Sequence, residues 1–293
     1  MAKKSGKFTA TGIAAVRAAA FVLENDPNIK NPDYLAITFL PISFRIVFKI
    51  RPLLWLIFRN LKKRLPGNYY LHIVRTKHID NILEHAVNTG LQQLVILGAG
   101  LDTRAYRFKN ELRGIKVFEV DYPDTQSVKR ERLTRLKTDI PTNVTYVPID
   151  FNTQRLEILL EKGYLPTLNT LFIWEGVCMY ISPESVDQVL SFVTKNSGHG
   201  SNIVFDYIFQ SMVEGKCDYY GARESAKYAA KVGEPYIFGI EEGKIREFLE
   251  NRGLNLLSEY TPKDLEQTYL KTKNGKIRGK VCEYTNFVHA SII

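Results

Sequence analysis

The chain has 293 residues, 45% of them hydrophobic and 24% charged, with 40 Lys and Arg against 31 Asp and Glu for a net charge of +9. These values are ordinary for a soluble globular protein long enough to bury a substantial core, and no internal repeat or low-complexity tract interrupts it. The basic excess is scattered and favours anionic partners only weakly. The widely spaced Cys178, Cys217 and Cys282 exclude a disulfide framework or C-x-x-C zinc site and fit a reducing cytoplasm.

The opening MAKKSGKFTATGIAAVRAAAFVLEN is basic at first, but Arg17 and Glu24 interrupt what would be the apolar region of a signal peptide. Thr9 or Thr11 is expected to cap an amphipathic helix running through Glu24. The apolar stretch from Tyr34 to Phe58 has membrane-spanning length, yet it holds Arg45, Lys49 and Arg51 together with Pro41 and Pro52. Each cation near a bilayer centre costs about 2.5–3.5 kcal/mol, so broken helices are expected there. From Asn68 to Asn88, Leu71, Val74, Ile79, Ile82, Leu83 and Val87 recur at helical spacing.

Strand and helix patterns then alternate. LVILG is followed by a helix, IKVFEVD (115–121) by a helix through Arg135, and NVTYVPID (143–150) by TQRLEILLEKG. NTLFIWEG (169–176) comes next, then a helix opened by Ser182-Pro183-Glu184, then SNIVFDYI (201–208). Such alternation predicts a parallel sheet covered on both faces, a doubly wound α/β fold. Residues 209–240 read as a helical insertion and 241–252 as a further helix. LNLLSEYT (254–261), a short helix over 263–271 and YTNFVHASII (284–293) close the chain. The expected organisation is one domain: a helical extension (1–90), a cofactor-binding α/β core (91–208), a cap insertion (209–252) and closing strands (253–293).

Ligands of open parallel sheets bind at the carboxyl ends of the strands. Gly98 and Gly100 follow the first strand and let backbone approach a ligand closely. Glu119 and Asp121 end the second, Asp150 and Phe151 follow the third, and Glu175 the fourth. A dinucleotide site wants G-x-G-x-x-G, but Thr103 occupies the third position and Asp102 would face the pyrophosphate. No G-K-[ST] follows, so a phosphate loop fails too. S-adenosylmethionine carries a sulfonium and no phosphate. Asp121, some 20 residues after the glycines, is at the spacing to accept both ribose hydroxyls, and Asp150-Phe151 can bind an adenine. The alternative roles are structural: Asp121 and Asp150 as helix caps, the glycines as a tight turn. Glu175 is harder to explain so, because an unpaired buried carboxylate is costly.

VILGAGLDTRAYRF, VFEVDYP, VPIDF and WEGVCMYI, with RTKHID (75–80) upstream, resemble the leucine carboxyl methyltransferase family, especially its bacterial branch of S-adenosylmethionine-dependent methyltransferases. The resemblance runs over nearly the whole chain and implies a class I, Rossmann-like fold with seven strands. It also implies that Arg75 meets the methionine carboxylate and Gly98 lies beside the methionine. Asp121 would then hold the ribose, Asp150 and Phe151 the adenine, and Glu175 the methionine ammonium or a group near it. Cys178 stands where an aliphatic residue is usual and is read as a buried hydrophobe.

The five histidines show no metal spacing, and no metal is expected. The expected activity is O-methylation, with S-adenosyl-L-methionine as cofactor and a carboxylate of a small apolar molecule or peptide terminus as acceptor. A carboxylate is already ionised at neutral pH and needs no base. The rivals are a nicotinamide-dependent oxidoreductase and a non-catalytic cofactor-binding or RNA-associated protein. No nucleic-acid partner is expected, since only LKKRLPGNYY and KTKNGKIRGK interleave aromatics or turns with cations. Residues 34–66 are expected to touch the membrane periphery and, with 209–240, to cap an apolar acceptor.

Overall fold

The computed structural model describes residues 5–135 and 140–293. Strands β1 (Gln93–Leu97), β2 (Lys116–Asp121), β3 (Val144–Pro148), β4 (Thr170–Trp174), β5 (Asn202–Ile208), β6 (Leu254–Tyr260) and β7 (Thr285–Ile292) form one sheet in the order β3-β2-β1-β4-β5-β7-β6. The first five run parallel, and β7 pairs antiparallel with both β5 and β6. Every residue of β1 and β4 is buried, which is why QLVIL and TLFIW show no polar alternation. Between these two strands the winding reverses direction, and there the carboxyl ends of a parallel sheet splay into a crevice.

The helices are α1 (Ser5–Leu23), α2 (Ile42–Phe48), α3 (Arg51–Arg64), α4 (Asn68–Asn88), α5 (Arg104–Arg107), α6 (Pro123–Arg135), α7 (Ile158–Glu161), α8 (Pro183–Lys195), α9 (Gln210–Val213), α10 (Ala222–Lys231), α11 (Ile245–Glu250) and α12 (Pro262–Tyr269). Ser182 caps α8 by accepting from the Ser185 amide, and Thr261 caps α12 in a reciprocal capping box with Asp264. Helix α4 keeps the bounds that its apolar spacing predicts, and it buries Ile73, Val74, Ile79 and Leu83 completely.

Several expectations are corrected. Helix α1 is already formed at Ser5, so Thr9 and Thr11 lie within it and cap nothing. It is not amphipathic between Ala14 and Ala20, where every residue is buried. The crossover after β1 holds only the single turn α5, and that after β3 only α7. Side chains there bind local backbone amides in competition with regular helix: Asp102 accepts from the Arg104 amide, Asp150 from that of Asn152, and Gln154 from that of Asp150. The helix expected over 241–252 shrinks to α11. Residues 34–66 form a 3₁₀ turn at Ala36–Phe39 followed by α2 and α3, broken at Pro41 and again before Pro52. No helix among the described residues is long and apolar enough to cross a membrane.

Candidate active site

A cavity of about 530 Å³ opens over the carboxyl ends of β1, β2 and β4, within the range that holds small organic ligands. Arg75, Gly98, Gly100, Asp121, Asp150, Phe151 and Glu175 all line it. Away from the strand ends and the turns that follow them, Ala10, Ile13 and Arg17 of α1 and Gly233, Glu234, Pro235 and Ile237 complete the wall. The Thr9 hydroxyl donates to Glu234 Oε2 at 2.5 Å and joins the two pieces. None of residues 34–66 lines this cavity, and of the expected cap they supply a single side chain, Leu65, to a smaller chamber beside it. The inner faces of α2 and α3 are spent instead on each other and on α4, through the Phe48–Phe58 and Phe58–Tyr69 ring contacts.

At one end the backbone makes the site. Gly98 has φ +70°, and a Cβ there would lie 2.2 Å from Val177 Cγ2, so the position admits only glycine without rearrangement. The Gly100 amide donates to Asp121 Oδ2 at 2.6 Å, and the Tyr122 amide to Asp121 Oδ1 at 2.7 Å. Asp121 therefore ties the β1 turn to the β2 turn and is not a cap of α6. Burial pushes its carboxyl up to about 6, against the opposing pull of the two amides. Asp150 accepts from the Asn152 amide at 3.0 Å in a turn, with no helix beginning near Thr153. Glu119 is not at the cavity. It shares a face of β2 with Asp121 but sits two residues earlier, roughly 7 Å deeper, where it pairs with Lys129 at 2.7 Å. Burial raises its carboxyl to about 7.

The other end is built from buried ions. Arg75 Nε lies 2.9 Å from Glu175 Oε1 and its Nη1 3.0 Å from Asp206 Oδ2. Its Nη2 donates to His72 Nδ1 at 3.0 Å, which leaves that ring's proton on Nε2. Asp206 also accepts from the Gly176 amide at 2.6 Å. Glu175 Oε2 accepts from Arg104 at 2.8 Å, and Arg104 further binds Asp80 at 2.8 Å and Asp102. Burial opposes ionisation of Glu175, but Arg104 and Arg75 outweigh it and hold its carboxyl near about 2. Burial and then Arg75 push the His72 imidazole well below its ordinary value. Arg17 pairs with Asp33 at 2.9 Å and donates to the Leu101 carbonyl. Glu175 is thus paired, which answers the cost that an isolated carboxylate would carry.

Sequence reasoning missed Arg17, Arg104 and Asp206. Two of them carried a signal: Arg17 is a lone cation among buried alanines, and Asp206 the one charge in an apolar strand. Five carboxylates line the cavity (Asp102, Asp121, Asp150, Glu175 and Glu234) against Arg17 and Arg75, both already paired. Asp102 is neutralised by Arg104, so the cavity's overall excess of acid, more than this one residue, disfavours a pyrophosphate.

A smaller chamber of about 100 Å³ shares Thr9, Ile13, Arg75, Gly176, Tyr180 and Glu234 with the main cavity. Tyr228, Tyr236 and Tyr284 bring further hydroxyls to it, beside His72. Burial raises the phenols of Tyr180 and Tyr284 well above their ordinary value, and that of Tyr236 to about 12. His78 packs among Tyr260, Tyr269 and Phe287, away from both spaces. Cys178 is buried, its thiol raised by burial and donating to the Asp206 carbonyl. Among the described residues no cluster of His, Cys, Asp or Glu is placed to hold a metal ion.

The family model described as leucine carboxyl methyltransferase matches residues 10–194. A relative in Bacillus subtilis, named "Putative S-adenosyl-L-methionine-dependent methyltransferase YktD", is 30% identical over 74% of this chain and 71% of its own length. One of Mycolicibacterium gilvum, with the same general name, is 33% identical over 52% of this chain, and the match spans about half of that relative, 48%. Among solved structures, the glycopeptide N-methyltransferase MtfA with sinefungin is 13% identical, with a TM-score of 0.44 over 73% of this chain and 85% of its own.

Proposed function

This chain belongs to the leucine carboxyl methyltransferase family and is an S-adenosylmethionine-dependent methyltransferase, and from that premise we propose that it methylates a carboxylate oxygen of a small apolar molecule or peptide terminus. The observation that carries the cofactor assignment is the acid-rich cavity at the switch point, which suits a sulfonium-bearing ligand and repels a diphosphate. When bound, the cofactor supplies an electrophilic methyl group on a cationic sulfur.

In this reading Asp121 accepts from the ribose hydroxyls, using lone pairs not taken by the Gly100 and Tyr122 amides. Asp150 and Phe151 take the adenine. Arg75 presents its remaining N–H groups to the methionine carboxylate, and Glu175, kept ionised by Arg104 and Arg75, attracts the ammonium. The adjoining chamber holds the acceptor. Its phenols stay protonated, and His72 stays neutral with its acceptor nitrogen occupied by Arg75. The chamber's phenols and imidazole therefore offer hydrogen-bond donors and no ready base, and its two carboxylates are engaged, Asp206 by Arg75 and the Gly176 amide and Glu234 by the Thr9 hydroxyl. That suits an acceptor that arrives ionised and needs only alignment.

Two measurements test this. Calorimetric titration is expected to show binding of S-adenosylmethionine and its demethylated product and none of NAD. With a labelled methyl donor and a panel of acids, phenols and amines, the product is expected to release methanol in mild alkali, as methyl esters do. An alkali-stable methylated product overturns the carboxylate assignment.

A further inference from the structure

The corner formed by α2 and α3 is apolar on the outside. Ile42, Phe44, Ile46, Ile50, Trp55 and Ile57 stand between 42% and 69% exposed. Helix α3 already turns an apolar stripe inward through Leu54, Phe58 and Leu61, continued by Leu65 at its C-cap. Leu53, Trp55, Leu56 and Ile57 therefore make residues 52–58 apolar all round. A water-exposed helix does not ordinarily look like this, whereas one set into lipid does.

The charge is as one-sided as the apolar surface. From Tyr34 to Pro66 there is no Asp or Glu, while Arg45, Lys49, Arg51, Arg59 and the run Lys62-Lys63-Arg64 are all cationic. Among the described residues only Lys62 of these has an ion pair, with Glu24 at 3.5 Å. Arg51 bonds the neutral Asn25 side chain, and Arg59 lies over the Trp55 ring at 5.2 Å. Apolar residues occupy the corner and most of the cations follow at the far end of α3. That order lets an apolar tip enter the acyl boundary while the cations meet headgroups.

We infer that the α2–α3 corner is a peripheral docking element for an anionic lipid surface, with Trp55 and Ile57 inserted and Arg59, Lys63 and Arg64 against the headgroups. The element spans nothing. Its exposed apolar residues and cations lie outside the lining of both the cavity and the chamber, so docking is independent of the methyl-transfer reading.

The chain has two tryptophans, Trp55 and the fully buried Trp174, so Trp55 reports its own environment. The full chain is mixed with vesicles of phosphatidylglycerol and phosphatidylcholine, or of phosphatidylcholine alone. The expected result is co-sedimentation and a blue shift of emission with the anionic vesicles only, weakened by salt. The shift is lost in Trp55→Phe. Each of Arg59→Gln and Lys63→Gln is expected to weaken binding about fivefold. Trp55→Glu with Ile57→Glu is expected to abolish it while leaving the melting temperature and cofactor binding unchanged. Failure to bind anionic vesicles, binding that survives the double Glu variant, or a stable dimer or captured protein that buries Trp55 in place of lipid would each overturn the inference.

Discussion

The two ends of the cavity reach similar chemistry by different means. At the Asp121 end a carboxylate is held by backbone amides of neighbouring turns, and no cation among the described residues pairs with it. At the Arg75 end Asp33, Asp80, Asp102, Glu175 and Asp206 are each answered by a guanidinium, and those arginines come from α1, α4 and α5. Asp121 keeps a raised pKa because burial outweighs the pull of its two amides, and it remains open to a ligand. One held by guanidiniums is pinned in charge and position but makes fold stability depend on all its partners. The first end is therefore the one to tune, and the second the one that breaks.

The largest effect is expected at the second end. Arg104→Met strands Asp80, Asp102 and Glu175 without their shared cation. Breaking a buried network in this way costs on the order of 3–5 kcal/mol, read as a lowered urea midpoint. A loss below about 1 kcal/mol would mean that solvent already screens the network. Arg75→Ala is expected to weaken S-adenosylmethionine binding about 10- to 100-fold by calorimetry, as for loss of bonds to charged groups. Arg45→Ala, outside the cavity, leaves affinity unchanged, and equal effects from the two would remove Arg75 from the site.

At the first end the signature is a pH slope. As pH falls through about 6, Asp121 takes up a proton and loses acceptor capacity. Cofactor affinity should then drop by up to about tenfold per pH unit, and Asp121→Asn should flatten that slope. The sign reverses for the unliganded fold. A carboxyl whose folded pKa is raised favours the folded state when protonated, so this contribution is full below about 4 and lost as pH rises through about 6. Opposite slopes for binding and stability in one protein would tie both to Asp121. The smallest effect is expected at Asp150, in a local turn. Asp150→Ala should weaken binding only a few-fold, the scale of about 0.5–1.5 kcal/mol for one hydrogen bond.

What the sequence determined by itself is what chain neighbours decide. The apolar runs QLVIL and TLFIW specify buried parallel strands, and a residue just past such a run must lie at the sheet's carboxyl edge. Gly98, Gly100, Asp121, Asp150, Phe151 and Glu175 were legible for that reason, and Arg75 through a motif in α4. Only the tertiary structure decided who answers these charges. Arg17 meets Asp33 and Leu101, Arg104 meets Glu175 from 71 residues away, and Asp206 meets Arg75 from 131. Propensity and spacing act over a few residues, whereas the desolvation of a buried ion is settled by whichever element packs against it. The same distinction explains why Glu119 left the site and why α1, more than residues 34–66, walls the main cavity. In each case packing, which no local pattern encodes, set the outcome.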